Sequence, residues 1–330
     1  MIIRICEDIK LSNKEQNCCK KTSIGGQALI EGIMMRGPEK SMMAVRNPEG
    51  EIVLEEISFP GGNRPKILKL PLVRGIFNFI DSMRSGYKAL MRSAEIAMPE
   101  ESDKPQTEEE KKKDSALIGL AAGIGGVLGV LLSVGLFIYL PSLLYRLIEN
   151  WFPSLAELSD GTRQFIRSAF EGGLRIILMV CYMGAMCLVK DVRRTFEYHG
   201  AEHKTIFCYE AGLELTVENI KKQKRFHPRC GTSFMILMLI VGIVIGMFIT
   251  VDNPFLRTGI KLALLPVTVG IGYELIKFCG RHDNILTRII AAPGMLLQRI
   301  TVHEPDEKMI ECAIAAMTAV IPENKEADKF

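Results

Sequence analysis

The sequence predicts a mainly α-helical membrane protein, with four transmembrane helices preceded by a small β-containing region, α+β overall. Three observations carry this. Charge is segregated, since residues 1–113 are rich in it while Leu117–Leu140 contains none. Several stretches are apolar over the roughly 20 residues that a helix needs to cross a hydrocarbon core. Ahead of them, short apolar runs separated by turn sequences read as strands. The 330 residues are 48% hydrophobic with a formal net charge of only +3, so no nucleic-acid partner is expected.

Residues 1–21 read as a disordered tail and 22–70 as a small cytoplasmic β region. Within that region Ala28–Arg36, Ser41–Arg46 and Ile52–Phe59 are the expected strands, the last two joined by the turn sequence Asn47-Pro48-Glu49-Gly50. A single strand through the first segment places Gln27, Leu29, Glu31 and Ile33 on one face. Residues 71–98 form an amphipathic helix, with Val73, Ile76, Phe77, Ile80, Met83, Tyr87, Leu90 and Met91 at helical spacing. It can lie on the bilayer or on the protein; Gly75 and Gly86 weaken a free-standing surface helix and favour the protein. Residues 99–114 are a charged linker.

The membrane domain is expected over 115–278, with spans at Ser115–Leu140, Phe165–Val189, Phe234–Val251 and Thr258–Phe278, the last interrupted by Pro266. Gly119/Gly123, Gly125/Gly129 and Gly242/Gly246 have the small-xxx-small spacing that lets helices approach closely. The 190–233 segment is a loop carrying His and Cys, its helix extending from span two. Residues 279–330 are a tail in which Asp306 caps a short helix, Lys308–Val320.

Basic residues set the orientation. Residues 1–114 hold 19 Lys and Arg and 190–233 hold 9, against 3 in 141–170. The positive-inside rule puts both termini and the 190–233 segment in the cytoplasm. The first 30 residues are too interrupted by charge for a secretory signal peptide, so span one is the expected internal signal-anchor. Nine scattered cysteines with no CxxC suggest a reducing compartment, not a disulfide framework.

The chemistry concentrates in Tyr198-His199-Gly200-Ala201-Glu202-His203-Lys204. On a helix, His199 and His203 project from one face within reach of a single ion, and Glu202 lies about 60° round from His199. H-x-x-E-H is also the inverted zinc-protease pattern. His227-Pro228-Arg229-Cys230-Gly231 follows in the same segment, and Pro228 imposes a bend there. His199, His203, His227 and Cys230 together would complete a tetrahedral zinc shell, with Glu202 as general base if one ligand stands off. Four protein ligands describe a structural staple; Cys230 is the expected one to withdraw in a catalytic site. The histidines can also be read as interfacial hydrogen-bonders without a metal.

Further candidates are Glu31, Arg36, Arg175 and Glu274. Glu31 either sits over the His/Cys site or forms a salt bridge with a base such as Arg36. Glu171, Arg175 and Glu274 lie in or near spans, where ionisable groups face protein or water. Arg175 and Glu274 could pair between helices, or Arg175 could snorkel; a structural pair is favoured over a transport path.

Four motifs occur in order: Gly25-Gly26-Gln27-Ala28-Leu29-Ile30-Glu31-Gly32-Ile33-Met34-Met35-Arg36-Gly37-Pro38, YHGAEHK at 198–204, HPRCGTSF at 227–234 and PGMLLQRITVHEPDE at 293–307. Over residues 22–321 the chain closely resembles the YqhQ family of bacterial multi-pass membrane proteins, often labelled predicted metal-dependent enzymes. The resemblance implies a bacterial cell-membrane location and a cytoplasmic metal site on His199, Glu202, His203, His227 and Cys230. His303 departs from the family pattern, where a different residue is expected before Glu-Pro-Asp, which argues against His303 as a ligand.

Three functions follow as expectations. The first is an assembly or interaction factor with a structural zinc, whose partners are the lipid bilayer and other membrane proteins or a second copy of the chain. The alternative is a zinc-dependent hydrolase at the cytoplasmic membrane face. The third is a transporter using Glu171 and Glu274, disfavoured because four spans without an inverted repeat are few for that role.

Overall fold

Ile33, Met34 and Met35 follow one another without a polar residue, as do Met42 to Val45, the pattern of strands covered on both faces. In the computed structural model, which describes residues 21–58, 65–99, 123–155, 157–282, 284–324 and 327–328, these segments form the centre of a sheet. It is a four-stranded antiparallel meander of β1 (Gly25–Leu29), β2 (Gly32–Arg36), β3 (Ser41–Arg46) and β4 (Ile52–Glu56), in sequence order. The expected tail over 1–21 and linker over 99–114 lie, but for Lys21 and Pro99, outside the described residues. So does the expected start of span one at Ser115.

The expected strand Ala28–Arg36 is instead a hairpin. Leu29 pairs with Gly32, leaving Ile30 and Glu31 as a two-residue turn. Glu31 has φ 50, so it does not share a strand face with Leu29 and Ile33. Its carbonyl accepts the Arg46 amide at 2.8 Å. Gly32 has no Cβ because one would lie 2.8 Å from Val45 Cγ2. The second turn forms as the sequence indicates: Gly50 has φ 89 and the Asn47 side chain accepts the Glu51 amide at 2.8 Å.

Ten helices follow among the described residues: α1 (Val73–Ala97), α2 (Gly123–Trp151), α3 (Asp160–Met186), α4 (Lys190–Glu210), α5 (Val217–Lys221), α6 (Gly231–Gly246), α7 (Pro254–Ala263), α8 (Leu265–Arg281), α9 (Ile285–Thr301) and α10 (Glu307–Val320). α1 packs on the protein as expected, but through its small residues Gly75, Ser85, Gly86, Ala89 and Ser93. Its large apolar stripe points outward, with Ile80, Met83, Tyr87 and Met91 all exposed.

Helices α2 and α3 are long and apolar enough to cross a membrane; a third span results if α7 and α8, bent by 49°, act as one. The expected third span is α6, with 16 residues, about 24 Å against a hydrocarbon core of about 30 Å. By length the four expected spans therefore become two or three. The helix of the expected span one does not stop at Leu140: a π-helical turn at Gly135–Tyr139 precedes Pro141 and the helix runs on to Trp151. Among the described residues nothing approaches the Cβ positions of the glycines at 123, 125 and 129, so no close helix contact there uses them. Gly246 instead approaches Ser168 of α3.

The C-terminal region is not a tail. Met309, Cys312, Ala313, Ala316 and Met317 of α10 are fully buried against Ile33, Met35 and Ala44 of the sheet and Tyr198 and Ala201 of α4. The Asp306 carboxylate caps α10 by accepting the Met309 amide at 2.8 Å. Leu297 of α9 packs with Ile236 of α6 and Met179 of α3. α4, the start of α6, the end of α9 and β1 thus meet at the joint between sheet and helical bundle.

Candidate metal centre

Helix α4 is a new helix, separated from α3 by Val189 in extended conformation (φ −80, ψ 120). The expected continuous helix breaks there, and the 190–210 part of the expected loop is helical. His199 and His203 are one turn apart on it, with ring centroids 4.4 Å apart. The connector between α9 and α10 crosses α4 at Gly200, where a Cβ would overlap the His303 carbonyl oxygen. That crossing brings the Thr301 carbonyl to His199 Nδ1 at 3.0 Å.

His203 Nδ1 lies 2.6 Å from the Arg225 carbonyl. A carbonyl only accepts, so both Nδ1 atoms carry the proton and both Nε2 atoms present a lone pair. His199 Nε2 is 3.1 Å from Cys230 Sγ. His203 Nε2 is buried and makes no hydrogen bond among the described residues. These two nitrogens and the sulfur lie within 4.8 Å of one another. Orientation of a ligating imidazole by a carbonyl on its other nitrogen is the usual outer support of a metal site.

Cys230 is the N-cap of α6, its sulfur accepting the Thr232 amide at 3.5 Å. Burial alone would raise its thiol, but His203 and the Thr232 hydroxyl and amide reverse this to a net lowering. Burial takes His203 down to about 4, with His199 adding to the fall and Cys230 opposing it. The His203 imidazole is therefore held neutral, the form that ligates.

Glu202 is 5% exposed and is tucked under β1, where a Cβ on Gly26 would lie 2.9 Å from its Cγ and Cδ. Burial pushes its carboxyl up to about 7, Cys230 adding to the rise while His199 and the Gly26 amide oppose it. It is adjacent to the cluster and not one of its three converging ligand atoms.

His227 does not join that trio, contrary to the expected His3Cys shell. The Gln298 side chain clamps its backbone, accepting the His227 amide at 2.8 Å and donating to its carbonyl at 2.7 Å. Its Nδ1 accepts the Arg229 amide at 3.3 Å, and Nε2 faces Glu210 Oε2 at 3.9 Å. The Arg229–Glu210 pair anchors that carboxylate. Burial would raise Glu210, but His227 and Arg229 hold it below the usual carboxylate range. The ring nevertheless remains beside His203, with centroids 5.6 Å apart.

Elsewhere the Glu31 carboxylate is taken up bidentately by Arg194 of α4 and by the Tyr198 hydroxyl at 3.2 Å, not by Arg36. Arg36 ends β2, paired with Gly25 and Ser41. The expected Arg175–Glu274 pair does not form. Glu274 binds Arg74 of α1 bidentately, and Arg175 donates to the Phe137 carbonyl at 2.6 Å, inside the π-helical turn of α2. Glu171 is 2% exposed and is shared by Arg167, Arg257 and Lys261. Arg257 and Lys261 are charged residues that the sequence reading did not single out; their spacing of four is the signal for one helix face. His303 stacks on Phe196 and lies outside the trio.

The family model described as "Protein of unknown function (DUF1385)" matches residues 70–323. An uncharacterized protein YqhQ of Bacillus subtilis (strain 168) is 34% identical over 302 residues, covering 90% of this chain and 92% of that protein. No solved structure matches. A family model over most of the chain and a relative aligned nearly end to end agree with the four motifs, and the chain belongs to the YqhQ family, DUF1385.

Proposed function

We propose that this is a multi-pass membrane protein carrying a zinc-type centre on His199, His203 and Cys230, and that the centre serves hydrolysis at the cytoplasmic membrane face. The observation that carries the metal reading is His203 Nε2, buried and without a hydrogen bond among the described residues, converging with His199 Nε2 and Cys230 Sγ. A buried polar atom without a partner costs about 1–3 kcal/mol, and an ion removes that cost. Two nitrogens and a thiolate are a donor set that zinc accepts.

Three protein ligands, with His227 held by Gln298 and Glu210, leave a fourth position, as catalytic zinc sites do. When bound, zinc supplies Lewis acidity that lowers the pKa of water and polarises a carbonyl. His199 and His203 hold their lone pairs inward through Thr301 and Arg225. Glu202, beside them under the Gly26 amide, is the group that takes a proton. His199, the partly exposed member, marks the side from which a peptide or lipid-linked substrate approaches.

A second reading, a structural staple in an assembly or interaction factor, is favoured by burial: His203 is 1% exposed and Cys230 7%. The two separate by experiment. Metal analysis of the purified chain should find one equivalent of zinc, lost in His203→Ala and kept in His227→Ala; loss in His227→Ala reinstates the four-ligand staple. Cobalt-substituted protein should show a thiolate charge-transfer band that Cys230→Ser removes. No metal in the wild type ends both readings.

The membrane reading counts α2, α3, α6 and the α7–α8 pair as four spans, with the basic 1–114 and 190–233 segments on the cytoplasmic side. Charge asymmetry supports it. A reporter fused at Leu155 should read as extracytoplasmic; a cytoplasmic signal sinks the topology.

A further inference from the structure

The start of α1 lies along α8. A Cβ on Gly270 would lie 2.8 Å from the Leu72 carbonyl oxygen, and one on Gly75 would lie 2.7 Å from Tyr273 Cβ. Beside this contact is a cavity of about 440 Å³ whose walls include Leu72, Ile271, Leu275 and Phe278, with Lys277 and Arg281 at its end. Ile271, Leu275 and Phe278 recur at helical spacing, so they form one apolar strip. Lys277 and Arg281 follow at the same spacing beside it, four apart.

The charges in this groove do not cancel. Glu274 is engaged by Arg74. Lys277 and Arg281 line the same groove as that pair, and neither forms an ion pair among the described residues. Three cations thus surround one carboxylate. A wall of apolar residues with a net excess of cations towards one end matches an amphiphile with an anionic head. The length agrees: Gly270 to Arg281 spans about 16 Å at 1.5 Å per residue, close to one leaflet of a core about 30 Å thick. Along α1 the apolar surface continues outward through Leu72, Phe77, Ile80 and Met83, all exposed.

We propose that this groove binds an anionic phospholipid of the cytoplasmic leaflet, its phosphate on Lys277 and Arg281 and an acyl chain along Leu72, Ile271, Leu275 and Phe278. The proposal rests on the membrane reading above, in which the C-terminal end of α8 is cytoplasmic. Basic pockets at that level are a recurrent form of lipid headgroup site. The segment leading into α1 then dips beside α8 without crossing, its backbone at membrane depth covered by protein on one side.

The test uses the full chain in neutral detergent, followed by native mass spectrometry and thermal unfolding. The probes are phosphatidylglycerol, phosphatidylcholine of the same chains, and inorganic phosphate. Phosphatidylglycerol should be retained as a single adduct and raise the unfolding temperature at concentrations at least tenfold below phosphatidylcholine, while phosphate has no effect. Lys277→Gln and Arg281→Gln should each weaken this by about fivefold, and Lys277→Arg should retain it. Equal binding of the two lipids, or phosphate acting as well as lipid, overturns the proposal; the wild-type comparison decides even if the variants fail to fold. Leu131→Trp with Trp151→Phe, in nanodiscs of brominated lipid, tests the premise separately. Quenching there without a phosphatidylglycerol preference overturns the groove alone, and absence of quenching overturns the membrane reading with it.

Discussion

Gly200 has a role that residue type alone does not reveal. A methyl group there would overlap the His303 carbonyl oxygen, and His303 follows by two the residue whose carbonyl fixes His199. Gly200→Ala should therefore lower stability by about 1–3 kcal/mol through overpacking. It should also weaken metal binding by about 10–100-fold, as loss of a ligand's outer support does. Metal titration beside denaturant unfolding checks this, and a variant with unchanged metal affinity would show that the crossing does not orient the ligand. The H-x-x-E-H spacing was legible because helical period alone places His199 and His203 together. His227 stands outside the trio because Gln298 clamps its backbone while Arg229 and Glu210 hold its ring, residues that spacing does not connect. The contact between Gly26 and Glu202 was likewise invisible, although both lay in motifs singled out separately.

At the scale of elements, the turn at Ile30–Glu31 decided how much of the β region could be read. The second turn was legible from Asn47-Pro48-Glu49-Gly50 because glycine adopts positive φ freely. The first puts a glutamate at φ 50, held by the pair with Arg194 and by the Arg46 amide, which are tertiary partners. Glu31→Gly and Glu31→Val both delete that pair, so comparing them isolates the turn. The valine variant should be the less stable by about 1–2 kcal/mol, the cost of left-handed backbone for a residue with Cβ. Equal stabilities in denaturant would mean that the turn carries no such constraint. The same logic explains α1: its periodic large residues were legible, but the buried face is set by small residues that fit Tyr273 and Gln27. The short helix at the C-terminus was legible from Asp306, whereas its place in the core depends on the sheet it covers.

For the whole molecule, the bundle places two polar centres on different elements: the His/Cys trio joins α4 to the start of α6, and Glu171 joins α3 to α7. Charge segregation revealed that ionisable residues lie among the apolar helices, but not which ones meet. Glu171 lies between Arg167, Arg257 and Lys261, and Arg257 also donates to the Ile249 and Gly246 carbonyls at the end of α6. Carbonyls at a helix C-terminus carry partial negative charge and share in neutralising that arginine. Removing the carboxylate would leave three cations without their common counter-charge, and breaking a buried pair from one side typically costs about 3–5 kcal/mol. Glu171→Ala should thus be far more damaging than Arg175→Met, because Arg175 leaves behind only the Phe137 carbonyl, which costs about 1–3 kcal/mol when unpaired. Thermal unfolding of both variants in one detergent measures the order. A Glu171→Ala protein as stable as wild type would deny the carboxylate a structural role and return it to consideration as part of a transport path.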